Sequence, residues 1–220
     1  MVNIKLGSLY LALILSSLIG CTTDKRVNNE AVKKEMAARE IKKVTEAEIV
    51  SKAHEIGTMI AMETKKTLGK NLQQALMSGG VENAISFCKI NAMPLVDSLS
   101  SQFDASIKRV TTQARNPDDL PNELEGIILE AYGQQLKDSM KLQANVQRID
   151  EGNYLFTQPI FIDNALCLTC HGSFENGLTE ETKNIIAEKY PDDKATGYAI
   201  GDLRGMWSIT LSKKKIVQSF

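Results

Sequence analysis

The sequence predicts an α+β fold: a long helix on the N-terminal side, then a small antiparallel sheet with flanking helices. Three observations predict it. Apolar residues recur at helical spacing from Ile49 to Leu99. Short β-branched and aromatic runs follow, bounded by Gly, Asn and Pro. The order reads helices, strand, helix, hairpin, helix, strand, which suits a sheet of antiparallel neighbours. With 220 residues and 43% hydrophobic content, the chain is long enough for one well-buried domain. Its formal net charge is −1, with no basic excess to attract nucleic acid.

Residues 1–20 read as a lipoprotein signal peptide. Lys5 is their one cation, and a mostly apolar run follows from Leu6 to Ile19. That run has the length of a signal-peptide core and is short for a bilayer span. It ends in Leu18-Ile19-Gly20-Cys21, which resembles a lipobox. Cys21 would then be acylated and become the first mature residue. An ordinary signal peptide or short anchor with an incidental cysteine is the alternative. One acyl chain anchors marginally, whereas the two or three of a lipoprotein anchor stably. Thr22 follows the cysteine, the outer-membrane sorting pattern in cells with two membranes. Residues 21–44 are charged and mixed, and read as a tether.

The single domain is expected over 45–220. Thr45 and Glu48 form a capping box that opens the first helix. Ile49, Ala53, Ile56 and Ile60 mark its apolar face, and Ser78-Gly79-Gly80 stops it. A second helix carries Val81, Ala84, Ile85, Cys88, Ala92, Leu95, Val96 and Leu99, with a kink or break near Met93 because Pro94 lacks an N–H. Residues 105–113 alternate as a strand, and 116–121 form a rigid Pro-rich loop. Asn122 and Glu125 cap a helix expected to reach about Leu142. Residues 145–150 and 153–162 pair around Glu151-Gly152-Asn153. A short helix is expected over 179–189 and a last strand from Met206 to Leu211.

Cys167-Leu168-Thr169-Cys170-His171 is a C-x-x-C-H sequence, the attachment signature of c-type haem. Two thiols at this spacing can each add to a vinyl group of one porphyrin. The adjacent histidine then reaches the iron as proximal ligand. A thioredoxin-like pair would want a βαβ context, and a zinc site would want about four ligands. Neither context is evident. The signal peptide agrees, since haem c is attached outside the cytoplasm. The α+β order also departs from the all-helical cytochrome c plan.

Cys88 is the cysteine left over from these assignments. In an oxidising compartment it has no partner for an intramolecular disulfide. For the sixth iron position the chain offers His54, Cys88, Met59, Met62, Met77, Met93, Met140 and Met206. Methionine is the usual ligand in electron-carrying cytochromes c, but at helical spacing it is more often core filler. Cys88 lies on an apolar stripe, where a free cysteine is more often a small hydrophobe. Arg109 and Arg115 are candidate partners of the haem propionates, because guanidinium suits carboxylate; an exposed strand cation and an ordinary loop arginine are the alternative. Asp202, between Gly201 and Gly205, reads as a turn residue.

Several segments together resemble one family. They are Ala84-Ile85-Ser86-Phe87-Cys88-Lys89, Arg109-x-Thr111, Arg115-Asn116-Pro117, Cys167-x-x-Cys170-His171-Gly172, and the run from Tyr190-Pro191 through Gly197-Tyr198, Gly201-Asp202 and Gly205 to Ser208. The family is one of bacterial haem c proteins catalogued as a domain of unknown function; one member is a cyanobacterial protein found with photosystem II. The resemblance implies a PAS-like fold, one covalent haem c, and axial ligation by His171 and Cys88. Asp119 departs from the family, which has Asn there.

The expected function is that of a membrane-anchored monohaem c-type cytochrome with a low-potential redox role in the cell envelope. A thiolate on iron favours the ferric state, and a six-coordinate iron leaves no site for substrate, so an enzyme is not expected. The alternative is a haem-based redox or gas sensor acting through a separate partner. A small haem enzyme comes third. The expected partners are a redox protein and, through Cys21, the membrane.

Overall fold

A computed structural model describes residues 29–38 and 43–220 of the chain. The signal peptide, Cys21 and part of the tether lie outside the described residues. The chain divides into two units, Met1–Lys43 and Val44–Phe220. In the first, α1 (Asn29–Ala38) is a charged helix. No helix among the described residues is long and apolar enough to cross a membrane.

The second unit opens with α2 (Glu46–Ile90). The capping box is formed: Thr45 N–H donates to Glu48 Oε2 at 2.8 Å and Glu48 N–H donates to Thr45 Oγ1 at 3.3 Å. At Gly79 and Gly80 the expected stop becomes a kink. Gly80 has φ 67°, ψ −161°, which a side chain would resist. The helix resumes at once and carries Cys88. The next break falls at Asn91, and α3 (Ala92–Phe103) follows. Pro94 sits in the first turn of α3, where its missing N–H leaves no ladder bond unmade.

The remaining elements are β1 (Ser106–Val110), a 3₁₀ turn at Pro117–Asp119, α4 (Glu123–Lys137), β2 (Asn145–Arg148), β3 (Asn153–Phe161), α5 (Ala165–His171), α6 (Glu180–Lys189), β4 (Leu203–Ser212) and α7 (Lys213–Gln218). The fold is α+β with a four-stranded sheet in the order β1-β4-β3-β2. Every pairing is antiparallel. α4 ends sooner than its sequence pattern implies, because Ser139 turns left-handed at φ 56°.

The two faces of the sheet are covered by different helices. Ile49, Ala53, Ile60 and Ala61 of α2 pack with Tyr154, Phe156, Trp207, Ile209 and Leu211. Ile128, Leu129 and Tyr132 of α4 pack with Val110, Leu155 and Met206. Each large side chain buried this way contributes roughly 1.5–3 kcal/mol. Gly57 sets the closeness of α2 to the sheet, since a Cβ there would lie 2.2 Å from the Phe156 ring.

Glu125 ties α4 to the sheet. It accepts from Asn122 N–H at 2.9 Å, Ser208 Oγ at 2.7 Å and Lys108 Nζ at 3.1 Å. Lys108 and Ser208 face each other across β1 and β4. Burial pulls the carboxyl pKa up, but these hydrogen bonds and the lysine outweigh it, and the net direction is down. The stabilisation is therefore present above the unfolded value, about 4.3, and is lost as pH falls through the lower folded value. Glu125→Gln is expected to destabilise by about 2 kcal/mol at neutral pH. The gap from wild type should close below about pH 4, as urea unfolding across pH will show.

Candidate functional site

The C-x-x-C-H residues occupy one turn-and-a-half of helix. Asn164 caps α5 by accepting from Cys167 N–H, and Gly172 ends it by donating to Leu168 O at 2.9 Å. A Cβ at Gly172 would fall 2.6 Å from that carbonyl oxygen. Cys167, Cys170 and His171 stand at i, i+3 and i+4, so they share one face. Cys88, Cys167 and Cys170 are all free thiols.

His171 is held by its backbone-facing nitrogen. Nδ1 lies 2.7 Å from Ala195 O. A carbonyl only accepts, so Nδ1 carries the proton and Nε2 keeps its lone pair. That is the arrangement of a metal-ligating histidine, oriented by a hydrogen bond from its other nitrogen. Burial pushes the imidazole pKa well down, and the cations of Arg115, Arg204 and Arg109 add to the effect. The ring is thus neutral near pH 7. Its edge-to-face neighbour is Tyr198, with centroids 6.4 Å apart.

The segment from Tyr190 to Asp202 wraps the end of α5. Gly197 N–H donates to Gly172 O and Tyr198 N–H to His171 O, both at 2.9 Å. Gly197 and Gly201 have φ of 87° and 94°, the left-handed region that favours glycine. Asp202 accepts from Ala199 N–H at 2.7 Å, a turn role. The specific Tyr190–Ser208 run is therefore largely the cradle of the C-x-x-C-H helix.

Arg115 locks this cradle. Its Nε donates to Asp193 Oδ1 at 2.9 Å, and its Nη2 donates to Cys170 O at 2.6 Å and Ala195 O at 3.4 Å. Arg109 pairs with Asp119 at 3.6 Å. Asp119 is buried, and burial raises its carboxyl pKa against the pull of Arg109. The 3₁₀ turn that holds it closes through Asp119 N–H to Asn116 O at 3.0 Å.

Cys88 comes to the same place from the kinked end of α2. Its charge interactions are with Arg109, Arg115 and Asp119, and it also acts on Cys170. Burial pushes its thiol pKa up, and the two arginines oppose this. Cys170 packs with Ile85, Leu178, Ile186 and Tyr190, the apolar cluster between α2 and α6.

The other candidate ligands lie elsewhere or outward. His54 is exposed and sits edge-on to Phe156 at 5.8 Å, on the sheet side of α2. Met59, Met62, Met77 and Met140 are exposed, and Met206 belongs to the α4-side core. Met93 lies in the first turn of α3. Among the described residues, no three His, Cys, Asp or Glu side chains gather in a group that could hold a bare metal ion. The all-antiparallel sheet likewise lacks the βαβ unit of a thioredoxin pair.

Arg204 is a site residue that the sequence reading passed over. It lies on β4, and its Nη1 donates to Thr111 Oγ1 at 3.0 Å and Gln113 O at 3.1 Å. Its guanidinium carbon stands 5.3 Å from the centroid of the Tyr198 ring.

Two free thiols and an oriented neutral imidazole therefore stand together on one short helix. Residues 27–212 match the family model described as Tll0287-like. The chain belongs to the Tll0287-like family. Among solved structures it is similar to the cyanobacterial heme-protein Tll0287, with 24% identity, a TM-score of 0.48, and coverage of 69% of this chain and 92% of that one. No curated protein matches it.

Proposed function

We propose that this chain is a membrane-anchored monohaem c-type cytochrome that carries electrons at low potential in the cell envelope. The observation that carries the reading is the 2.7 Å contact of His171 Nδ1 with Ala195 O, on the same helical turn as two free thiols. The donor set suits haem c: thioether bonds at Cys167 and Cys170, and Nε2 of His171 toward the iron. Cys88 is the proposed sixth ligand: it lies one turn beyond Ile85, whose cluster packs against Cys170. When bound, the haem supplies a one-electron couple.

The protein's own residues do the rest. Arg115 and Asp193 clamp the loop that orients His171. Burial raises the thiol pKa of Cys88, and the positive charge of Arg109 and Arg115 opposes it; iron would favour the thiolate. The thiolate in turn favours the ferric state and lowers the potential. Cys21 is proposed as the acylated anchor, placing the domain on the periplasmic side, with the outer membrane as the favoured site. The partner is a second redox protein.

Carbon monoxide tests the carrier reading. The purified ferrous protein should not bind it, because Cys88 keeps the sixth position. Its visible spectrum should return unchanged after repeated reduction and oxidation. Ready binding by the wild type would instead mark a ligand-releasing sensor.

A further inference from the structure

Three arginines surround the site, and two of them have acids. Arg115 pairs with Asp193 and Arg109 with Asp119. Arg204 makes no ion pair within 4 Å among the described residues; the acid that acts on it from further off, Asp119, is already paired with Arg109. Both of its hydrogen bonds leave from Nη1 and reach neutral acceptors, Thr111 Oγ1 and Gln113 O. A guanidinium has five N–H donors, so Nε and Nη2 are left over. Burial lowers the pKa of Arg204, with Arg115 and Arg109 adding to the effect and Tyr198 and Asp119 opposing it. A partly buried cation without an anion is costly, and protein sites seldom keep one unless an anion arrives.

The position of Arg204 names the anion. It lies against Tyr198, which lies against His171. It also lines an open cleft of about 820 Å³ with Thr111, Gln113, Tyr198 and Gly205. We propose that Arg204 receives a propionate carboxylate of the haem, held ready over Tyr198 by Thr111 and Gln113. The inference rests on the haem reading above. It separates the three arginines by role: Arg115 positions the His171 loop, Arg109 neutralises Asp119, and Arg204 takes the porphyrin carboxylate as a fork.

The test compares holoprotein of the wild type, Arg204→Gln, Arg204→Lys and the remote control Arg148→Gln. A pyridine haemochrome assay first counts haem per chain. Wild type without covalent haem would remove the reading on which the assignment stands. With one haem per chain in all four, Arg204→Gln should show a lower midpoint potential, since a lost cation favours the ferric state. Its resonance Raman propionate bending band should also shift. Arg204→Lys should recover the potential but not the band, because an ammonium cannot reproduce the fork. Arg148→Gln, whose partner is Glu151 on an exposed turn, should match wild type in both. Wild-type potential and propionate band in Arg204→Gln overturn the assignment. If that variant does not accumulate, an unshifted band in Arg204→Lys does the same.

Discussion

Replacing Cys167 and Cys170 together by alanine should remove haem from the polypeptide completely. In the wild type, acid–acetone extraction should leave the haem with the protein, and a denaturing gel should stain for peroxidase activity. The double variant should give no stained band. Each single variant should keep one thioether link and a weakened signal. The effect is expected to be absolute because covalent attachment needs a thiol, and α5 offers only these two on one face. Haem extracted freely from the wild type would sink the reading. A second consequence concerns stability. α5 has seven residues, too few to persist without tertiary support. It rests on the Asn164 cap, on Leu168 against Ile162 and Tyr198, and on the Arg115 clamp. A group that binds only the folded chain adds stability. Losing about 2 kcal/mol of it would lower Tm by roughly 4–8 °C in a domain of this size.

The helix starts were legible because their signals are local. Thr45 with Glu48, and Asn122 with Glu125, each satisfy their own helix terminus within four residues. The C-x-x-C-H motif is legible from its spacing, whereas the short helix that carries it, α5, is not part of the sequence expectation. What was not legible depends on residues far apart. The last strand, β4, lies inside the sheet between β1 and β3, and nothing in its own alternation says so. Glu125 reads as a cap; its contacts with Lys108 and Ser208 exist only because β1 and β4 pair in one register. The need for glycine at 57 arises only from the distant Phe156 ring, which occupies the place of a side chain there. Arg204 stands in the Tyr190–Ser208 run with nothing in its local sequence to mark it. Its meaning comes from Thr111 and Tyr198, and from the acids that the other two arginines have. Arg115 reads in the sequence as a propionate partner or a loop cation; its hydrogen bonds to Asp193 and Cys170 O, which tie the cradle together, join residues far apart in the chain.

Cys88→Ala should leave the haem attached and change its electronic state. The variant removes no residue of α5 or its cradle, so covalent attachment should match wild type by pyridine haemochrome. The wild-type ferric protein should be low-spin, with the paramagnetic resonance signature of a thiolate. In the variant that signature should disappear. The ferrous variant should bind carbon monoxide readily, where wild type does not. The midpoint potential should rise, because the thiolate no longer favours the ferric state. For a one-electron couple, each 59 mV corresponds to about a tenfold change in relative stabilisation. Cys88→Met should raise the potential further where the thioether reaches the iron. The helix itself should tolerate alanine, which is a good helix former at that position. The kink at Gly79 and Gly80 matters here, since it aims the short second stretch of α2 independently of the sheet-packed first stretch. If Cys88→Ala keeps the wild-type resonance spectrum and potential, the thiolate is not on the iron. His54 and the exposed methionines would then have to move from where the fold places them to serve instead.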